Sequence, residues 1–295
     1  MATSIGAQTL LNWRRQQLQA GGRASSLDWL LDLQGGVGWQ ALQQLRLRPE
    51  QPVELRCSLE QLEQFWQRHL QTDEPLQYLV GCCPWRDLEL EVGPGVLIPR
   101  QETELLVDLA HQLLLQDGAG APRRWADLGT GSGCLAVALA RQWPASEGWA
   151  VDQSAAALQQ AGRNLEQHQL QQRVQLRQGS WWQPLQQQWG KLNLVISNPP
   201  YIPTGVWQQL EPGVRNHEPA LALDGGPDGL EAIRRISAGA SAALAPAGLL
   251  LLEHHYDQSA AVLELLQQAG LHDPQPHQDL EGVWRFASAW SARWP

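Results

Sequence analysis

The residues Asn198-Pro199-Pro200-Tyr201 close the apolar run Leu192, Leu194, Val195 and Ile196, and their types suit the handling of a planar nitrogen. An amide or exocyclic aromatic amine is a poor nucleophile because its lone pair is delocalised, so a site for it must orient the group rather than deprotonate it. The side-chain oxygen of Asn198 and the carbonyl of Pro199 can each accept one N–H, aiming the nitrogen at an electrophilic methyl, while Tyr201 packs beside the planar group. Asn198, Pro199, Pro200 and Tyr201 are therefore the candidate catalytic residues. No histidine or raised carboxylate is assigned to the step, so no catalytic group titrating near neutrality is expected. Taken alone, the same four letters read better as an ordinary strand-ending turn.

Two further patterns change that balance. Asp127-Leu128-Gly129-Thr130-Gly131-Ser132-Gly133 follows a predicted strand and opens a helix, where glycines let a ligand approach the backbone and leave helix N–H groups free. The third glycine comes one residue too early for the dinucleotide fingerprint. Asp152, 23 positions after Gly129, ends the next predicted strand, where a carboxylate can accept both hydroxyls of a ribose. No metal site is expected. Cys57, Cys82, Cys83 and Cys134 lack metal-ligand spacing, and the neighbours His254 and His255 would point to opposite faces of a strand.

The elements that must position these residues follow from the pattern. An apolar run ending in Pro-Pro reads as a buried parallel strand that cannot continue, because proline has no amide hydrogen for the ladder. Strands are expected at 125–128, 148–151, 174–176, 192–197, 249–252, 274–279 and 283–290. Helices are expected at 134–142, through residue 165, near 230–244 and at 258–268. This alternation predicts a parallel sheet covered on both faces with an antiparallel edge at the end, and the ends of its strands are where such sheets build sites.

Upstream, residues 1–77 read as helices joined by polar loops. Ser25 or Ser26 is expected to cap a helix bearing Leu27, Leu30 and Leu31, and Ser58 to Gln61 form a capping box. No catalytic pattern occurs there, so this part reads as a substrate-docking domain. Residues 78–100 are expected to be a β-hairpin linker in which the alternating 87–92 pairs with 96–98 across Gly93-Pro94-Gly95. Residues 101–295 complete the division as the chemical domain.

Composition narrows the function classes. The chain has 295 residues, 43% hydrophobic and 17% charged, with net charge −9 and Lys191 as its single lysine. The absence of a basic run weighs against tight sequence-independent binding to a nucleic-acid backbone. The longest apolar stretch, 238–252, is interrupted by Pro246 and too short for a membrane span. Residues 1–27 hold Arg14, Arg15 and Arg23 and no acid, superficially like a transit peptide, yet Leu11, Trp13 and Leu18 have the spacing of a domain helix. The cysteines are read as reduced thiols of a cytoplasmic protein.

Together, the glycine turn, Asp152 and Asn-Pro-Pro-Tyr resemble the class I methyltransferases that use S-adenosylmethionine and act on planar nitrogens. Glu74 to Gly81, Leu97 to Glu104, Ser197 to Ile202 and Glu218-Pro219 with Leu221 to Leu223 narrow this further. In order and spacing they are similar to the glutamine N5-methyltransferases of peptide chain release factors.

The resemblance implies a Rossmann-like, mostly parallel seven-stranded sheet with a small N-terminal helical bundle. It implies that Gly129, Thr130, Gly131, Ser132 and Gly133 cradle the methionine part of S-adenosylmethionine, Asp152 its ribose and Trp181 its adenine. Asn198 would face both cofactor and substrate, Pro199 would share the glutamine amide, and Pro99 with Arg100 would lie near the substrate entrance. Ser180 departs from the Asp frequent in relatives, and a hydroxyl accepts a hydrogen bond from an adenine amine less strongly than a carboxylate. The implied partner is a release factor acting as protein substrate of a monomeric enzyme, with neither membrane nor nucleic acid as partner. Two alternatives stand beside it. One is a ribosomal-protein glutamine methyltransferase, disfavoured by Gly129 and the Arg100 to Glu104 pattern. The other is an adenine N6-methyltransferase, whose basic face is not visible here.

Overall fold

The computed structural model describes residues 3–292, and the chain divides into two compact units. The first comprises Met1–Gly81 with Pro212–His217, the second Cys82–Glu211 with Glu218–Pro295.

In the first unit, the helices Ala7–Ala20, Ala24–Leu33, Trp39–Leu47 and Leu59–Thr72 bury Leu10, Trp13, Leu27, Leu30, Leu31, Leu42, Leu62 and Trp66 against one another. The capping box is present: Gln61 N–H donates to the Ser58 hydroxyl, and Ser58 N–H to the Gln61 side chain. The second helix corrects the expectation at Ser25 and Ser26. It begins at Ala24 behind Arg23, which makes no side-chain cap, so both serines fall inside its first turn. Strands also occur here, unforeseen: β1 (Thr3–Gly6) pairs antiparallel with β2 (Pro52–Leu55).

The second unit opens with a hairpin, β3 (Cys82–Trp85) and β4 (Leu88–Glu91), turning at Arg86 with φ +54°. The expected partner of β4, 96–98, is not a strand. The chain before Arg86 supplies the pairing instead, and Pro84 is tolerated because a two-stranded ladder leaves each strand an open edge. Freed from the ladder, Ile98 donates its N–H to the buried Glu218.

The main sheet has seven strands: β5 (Arg124–Leu128), β6 (Glu147–Asp152), β7 (Val174–Gln178), β8 (Leu192–Ser197), β9 (Leu244–Glu253), β10 (His272–Gln278) and β11 (Trp284–Trp290). Their spatial order is β10-β11-β9-β8-β5-β6-β7. The pairs among β9, β8, β5, β6 and β7 are parallel, whereas β11 is antiparallel to both its neighbours. The antiparallel strand is thus inserted beside the edge and is not the edge itself, because a tight turn after β10 returns β11 between β10 and β9.

Alternate residues of β5 feed two apolar layers. Trp125 packs with the helices Leu105–Gln116 and Cys134–Gln142 on one face. Ala126 and Leu128 pack with Glu231–Ala243 and Ser259–Gln268 on the other. Burial of both faces accounts for the near-continuous apolar strands. Among the described residues, no helix is long and apolar enough to cross a membrane.

Candidate active site

The order in which strands are added reverses about β5: β6 lies on one side of it and β8, parallel to both, on the other, so the carboxyl ends of all three strands open on one crevice. At the end of β5, Gly129 (φ +75°) and Gly131 (φ +56°) adopt backbone conformations that L side chains rarely take. Gly129 and Thr130 donate their N–H groups to Val151 O at 2.8 and 2.9 Å, holding the turn against β6. A Cβ on Gly131 would meet nothing within 4 Å, whereas one on Gly129 would lie 3.4 Å from the Trp181 ring. The turn is therefore bare on its open side and walled by an indole.

Asp152 ends β6 and faces the same crevice. Its Oδ2 accepts from Gly131 N at 3.0 Å and its Oδ1 from Ser154 N at 2.9 Å, so the carboxylate both steadies the turn and keeps lone pairs for a ligand. Burial pushes its pKa up, partly offset by those N–H donors. Trp181 holds φ +49°, a strained value for an aromatic residue, and Ser180 beside it lines the crevice.

At the end of β8 the Ser197 hydroxyl donates to Leu128 O at 2.5 Å, locking β8 to β5 just before Asn198. Asn198 is half-buried, and its Nδ2 donates to Thr103 Oγ1 at 2.8 Å. The Asn198 Oδ1 and the Pro199 carbonyl accept no hydrogen bond among the described residues.

One pocket brings together Gly129, Thr130, Gly131, Ser132, Asp152, Trp181, Asn198 and Pro200, with Pro99, Arg100 and Thr103 at the same pocket. Three of the residues singled out do not line it. Gly133 (φ +82°) starts the helix Cys134–Gln142, and a Cβ there would sit 3.0 Å from Ala161. Pro199 is buried. Tyr201 packs its ring against an apolar layer of the sheet and donates its hydroxyl to Glu253 Oε1 at 2.8 Å.

Four supporting residues have no role in the sequence reading, although Thr103 and Glu218 lie within its motifs. Glu253, the last residue of β9, is fully buried and also accepts from Thr103 Oγ1 at 2.8 Å. Thr103 links it to Asn198. Glu218, buried, receives Arg100 at 2.7 Å and fixes the loop that carries Pro99. Asn164, buried on the helix Ala155–Gln167, donates to Ser132 O at 2.8 Å and to Glu91 O at 2.9 Å. The Arg100 to Glu104 pattern was the available signal for Thr103. A carboxylate closing an apolar strand reads as a solvated end, which hid Glu253.

Besides Asp152, two carboxyls beside the site are raised, and neither belongs to the residues expected to perform the step. Burial lifts Glu253 to about 7, against the hydrogen bonds from Thr103 and Tyr201 that favour its charge. Burial likewise lifts Asp127 to about 7, although Thr130 Oγ1 donates to it at 2.6 Å. Among the described residues, no three His, Cys, Asp or Glu side chains gather as a metal set.

A family model described as the methyltransferase small domain matches residues 103–209. The release factor glutamine methyltransferase of Prochlorococcus marinus is 50% identical over 287 residues, covering 97% of this chain and 97% of its own. That of Gloeobacter violaceus is 46% identical over 259 residues, covering 86% and 87%. In fold, a methyltransferase from Pyrococcus furiosus is similar at a TM-score of 0.50 and 17% identity, covering 77% of this chain and 97% of that one. With relatives this similar along nearly its whole length, and with the sheet of a class I methyltransferase, the chain belongs to the release factor glutamine methyltransferase family.

Proposed function

We propose that this protein transfers a methyl group from S-adenosylmethionine to the side-chain amide nitrogen of the glutamine in the Gly-Gly-Gln loop of peptide chain release factors. The observation that carries it is the Asn198 amide: one end is tied to Thr103, and its oxygen is left as an unengaged acceptor in the pocket of the glycine turn.

The residues present fit the cofactor. The bare turn at Gly129 to Ser132 takes its amino-acid part, Asp152 accepts from its ribose, and the Trp181 indole covers its base. When bound, S-adenosylmethionine supplies a methyl group already electrophilic on a sulfonium sulfur. The protein's part is then positioning. Asn198 Oδ1 and the Pro199 carbonyl each accept one N–H of the glutamine amide, which fixes its plane. The surplus proton of the methylated amide passes to solvent, since its acidity needs no dedicated base. The helical unit serves as the docking module for the release factor, and the enzyme works as a monomer in the cytoplasm, where translation terminates.

The test is methyl transfer to release factor, ribosomal protein and DNA in parallel, with Asn198→Ala beside the parent. Loss of one preorganised contact should lower the single-turnover rate about 10²–10³-fold while cofactor binding stays within a few-fold. Parent-like transfer by Asn198→Ala, or transfer only to ribosomal protein or DNA, would refute this reading.

A further inference from the structure

We propose that Thr103 and Glu253 are positioning residues that decide which end of the Asn198 amide faces the substrate, so that the ionisation of Glu253 switches the acceptor on. The inference rests on the function proposed above and concerns groups that do not touch substrate.

The number of hydrogens in the chain of bonds fixes the orientation of the amide. An ionised carboxylate only accepts, and both oxygens of Glu253 are engaged: Oε2 by the Thr103 hydroxyl and Oε1 by the Tyr201 hydroxyl, each at 2.8 Å. The Thr103 hydroxyl has one hydrogen, and Glu253 holds it. Thr103 Oγ1 can then only accept, so Asn198 must turn its NH₂ toward it, as observed at 2.8 Å. Oδ1 is thereby left for a substrate N–H. Turned the other way, the amide would present two hydrogens to the hydrogens of the glutamine, and the site would repel what it must hold.

A neutral Glu253 removes the constraint. The carboxyl then brings a hydrogen of its own, the Thr103 hydrogen is released, and Oγ1 can donate to the oxygen of a turned Asn198. The preference between the two orientations collapses.

Several groups bear on this carboxyl. Arg285 on β11 favours its charge and is itself paired with Asp279, whereas Glu102 opposes it. Tyr201 is held protonated, raised well above its ordinary range by burial and by Glu253, with Arg100 and Arg285 acting the other way. His254 adjoins Glu253 on the chain and is lowered by burial, and the His255 ring lies 6.3 Å from that of Tyr201. Burial is the largest influence and places the transition near neutrality.

The test combines rate and spectrum. The chain has five asparagines, so selective ¹⁵N labelling gives five side-chain amides, and Asn198→Ala assigns the one required. In the parent, the Asn198 amide pair should shift as pH falls from about 8.5 to 6, and the single-turnover rate should drop roughly tenfold over the same range, as one-proton control predicts. Glu253→Gln, which cannot ionise, should abolish both transitions and stay at the low rate. Thr103→Val should lower the rate roughly 10–100-fold with S-adenosylmethionine affinity unchanged, and Thr103→Ser, which keeps the hydroxyl, should restore it.

A parent-like rate in Thr103→Val, or an inflection that survives in Glu253→Gln, would overturn the relay while leaving the proposed function standing. If the parent methylated no release factor, the function would fall. The amide spectrum would still judge the relay, and an Asn198 signal indifferent to pH would end it without any variant having to fold.

Discussion

Replacing Asp152 by alanine removes three things at once. The carboxylate steadies Gly131 through its N–H at 3.0 Å and the following helix through Ser154 N–H at 2.9 Å, and it offers its remaining lone pairs to the cofactor ribose. A hydrogen bond to a charged acceptor contributes about 1.5–3 kcal/mol. Water can reach the two freed N–H groups at the crevice, so their loss should appear mainly as a turn less ready to bind. The ribose contact then sets the scale, and the dissociation constant for S-adenosylmethionine should rise roughly 10–150-fold. Asp152→Asn separates the contributions, because its single oxygen can satisfy one N–H but neither both N–H groups nor a ribose as well. Its affinity should fall between parent and alanine. Titration calorimetry on the folded variants reads this directly, with thermal unfolding alongside to measure the turn. An unchanged affinity in Asp152→Ala would refute the ribose assignment, and equal affinities for Asn and Ala would refute the dual role of the carboxylate.

Gly133→Ala should destabilise by roughly 1–3 kcal/mol in chemical denaturation, because φ is +82° and the added Cβ would lie 3.0 Å from Ala161. A neutral result would show that the helix pair yields there. Trp181→Ala should weaken cofactor binding by loss of the indole wall, and Trp181→Gly should do so while relieving the strain of φ +49°. Greater stability of the glycine variant than of the alanine variant is the expected signature. Glu253 sits at about 7 against an ordinary value near 4.5, so the folded state keeps a proton that the unfolded chain has lost. Its stabilisation is full below the ordinary carboxylate range and is lost as pH rises through about 7. Between pH 5 and 8 the parent should therefore lose up to about 3 kcal/mol more stability than Glu253→Gln, and parallel curves in urea would contradict the raised value.

The strands of the main sheet were legible because burial on both faces forces continuous apolar runs, and Pro199-Pro200 announces where β8 must stop. The crevice was legible for a related reason: the glycines, Asp152 and Asn198 each sit at a strand end, where pattern and chemistry coincide. The misread hairpin shows the limit. Alternation in 87–92 identifies β4, but it says nothing of the partner, and Pro84 made the true one look unfit. The pair β1 and β2 was hidden because each has only four residues and the two lie far apart in sequence. The relay behind Asn198 was hidden differently. Thr103 and Glu253 are 150 positions apart, and the packing of the helix Leu105–Gln116, which follows Thr103, against β9 brings them together.

The short stretch Pro212–His217 packs with the first unit although it lies after β8 in the chain. His217 shares a hydrogen bond with Thr72 O at 2.8 Å, and a Cβ on Gly213 would come 2.9 Å from Asp73 O. During synthesis the first unit therefore waits for its last piece while the 136 residues from Cys82 to His217 are made. At about 5–20 residues per second this is roughly 7–27 s, ample time for a chaperone to meet the incomplete helical unit. A gene fragment ending near codon 81 would encode that unit permanently unfinished.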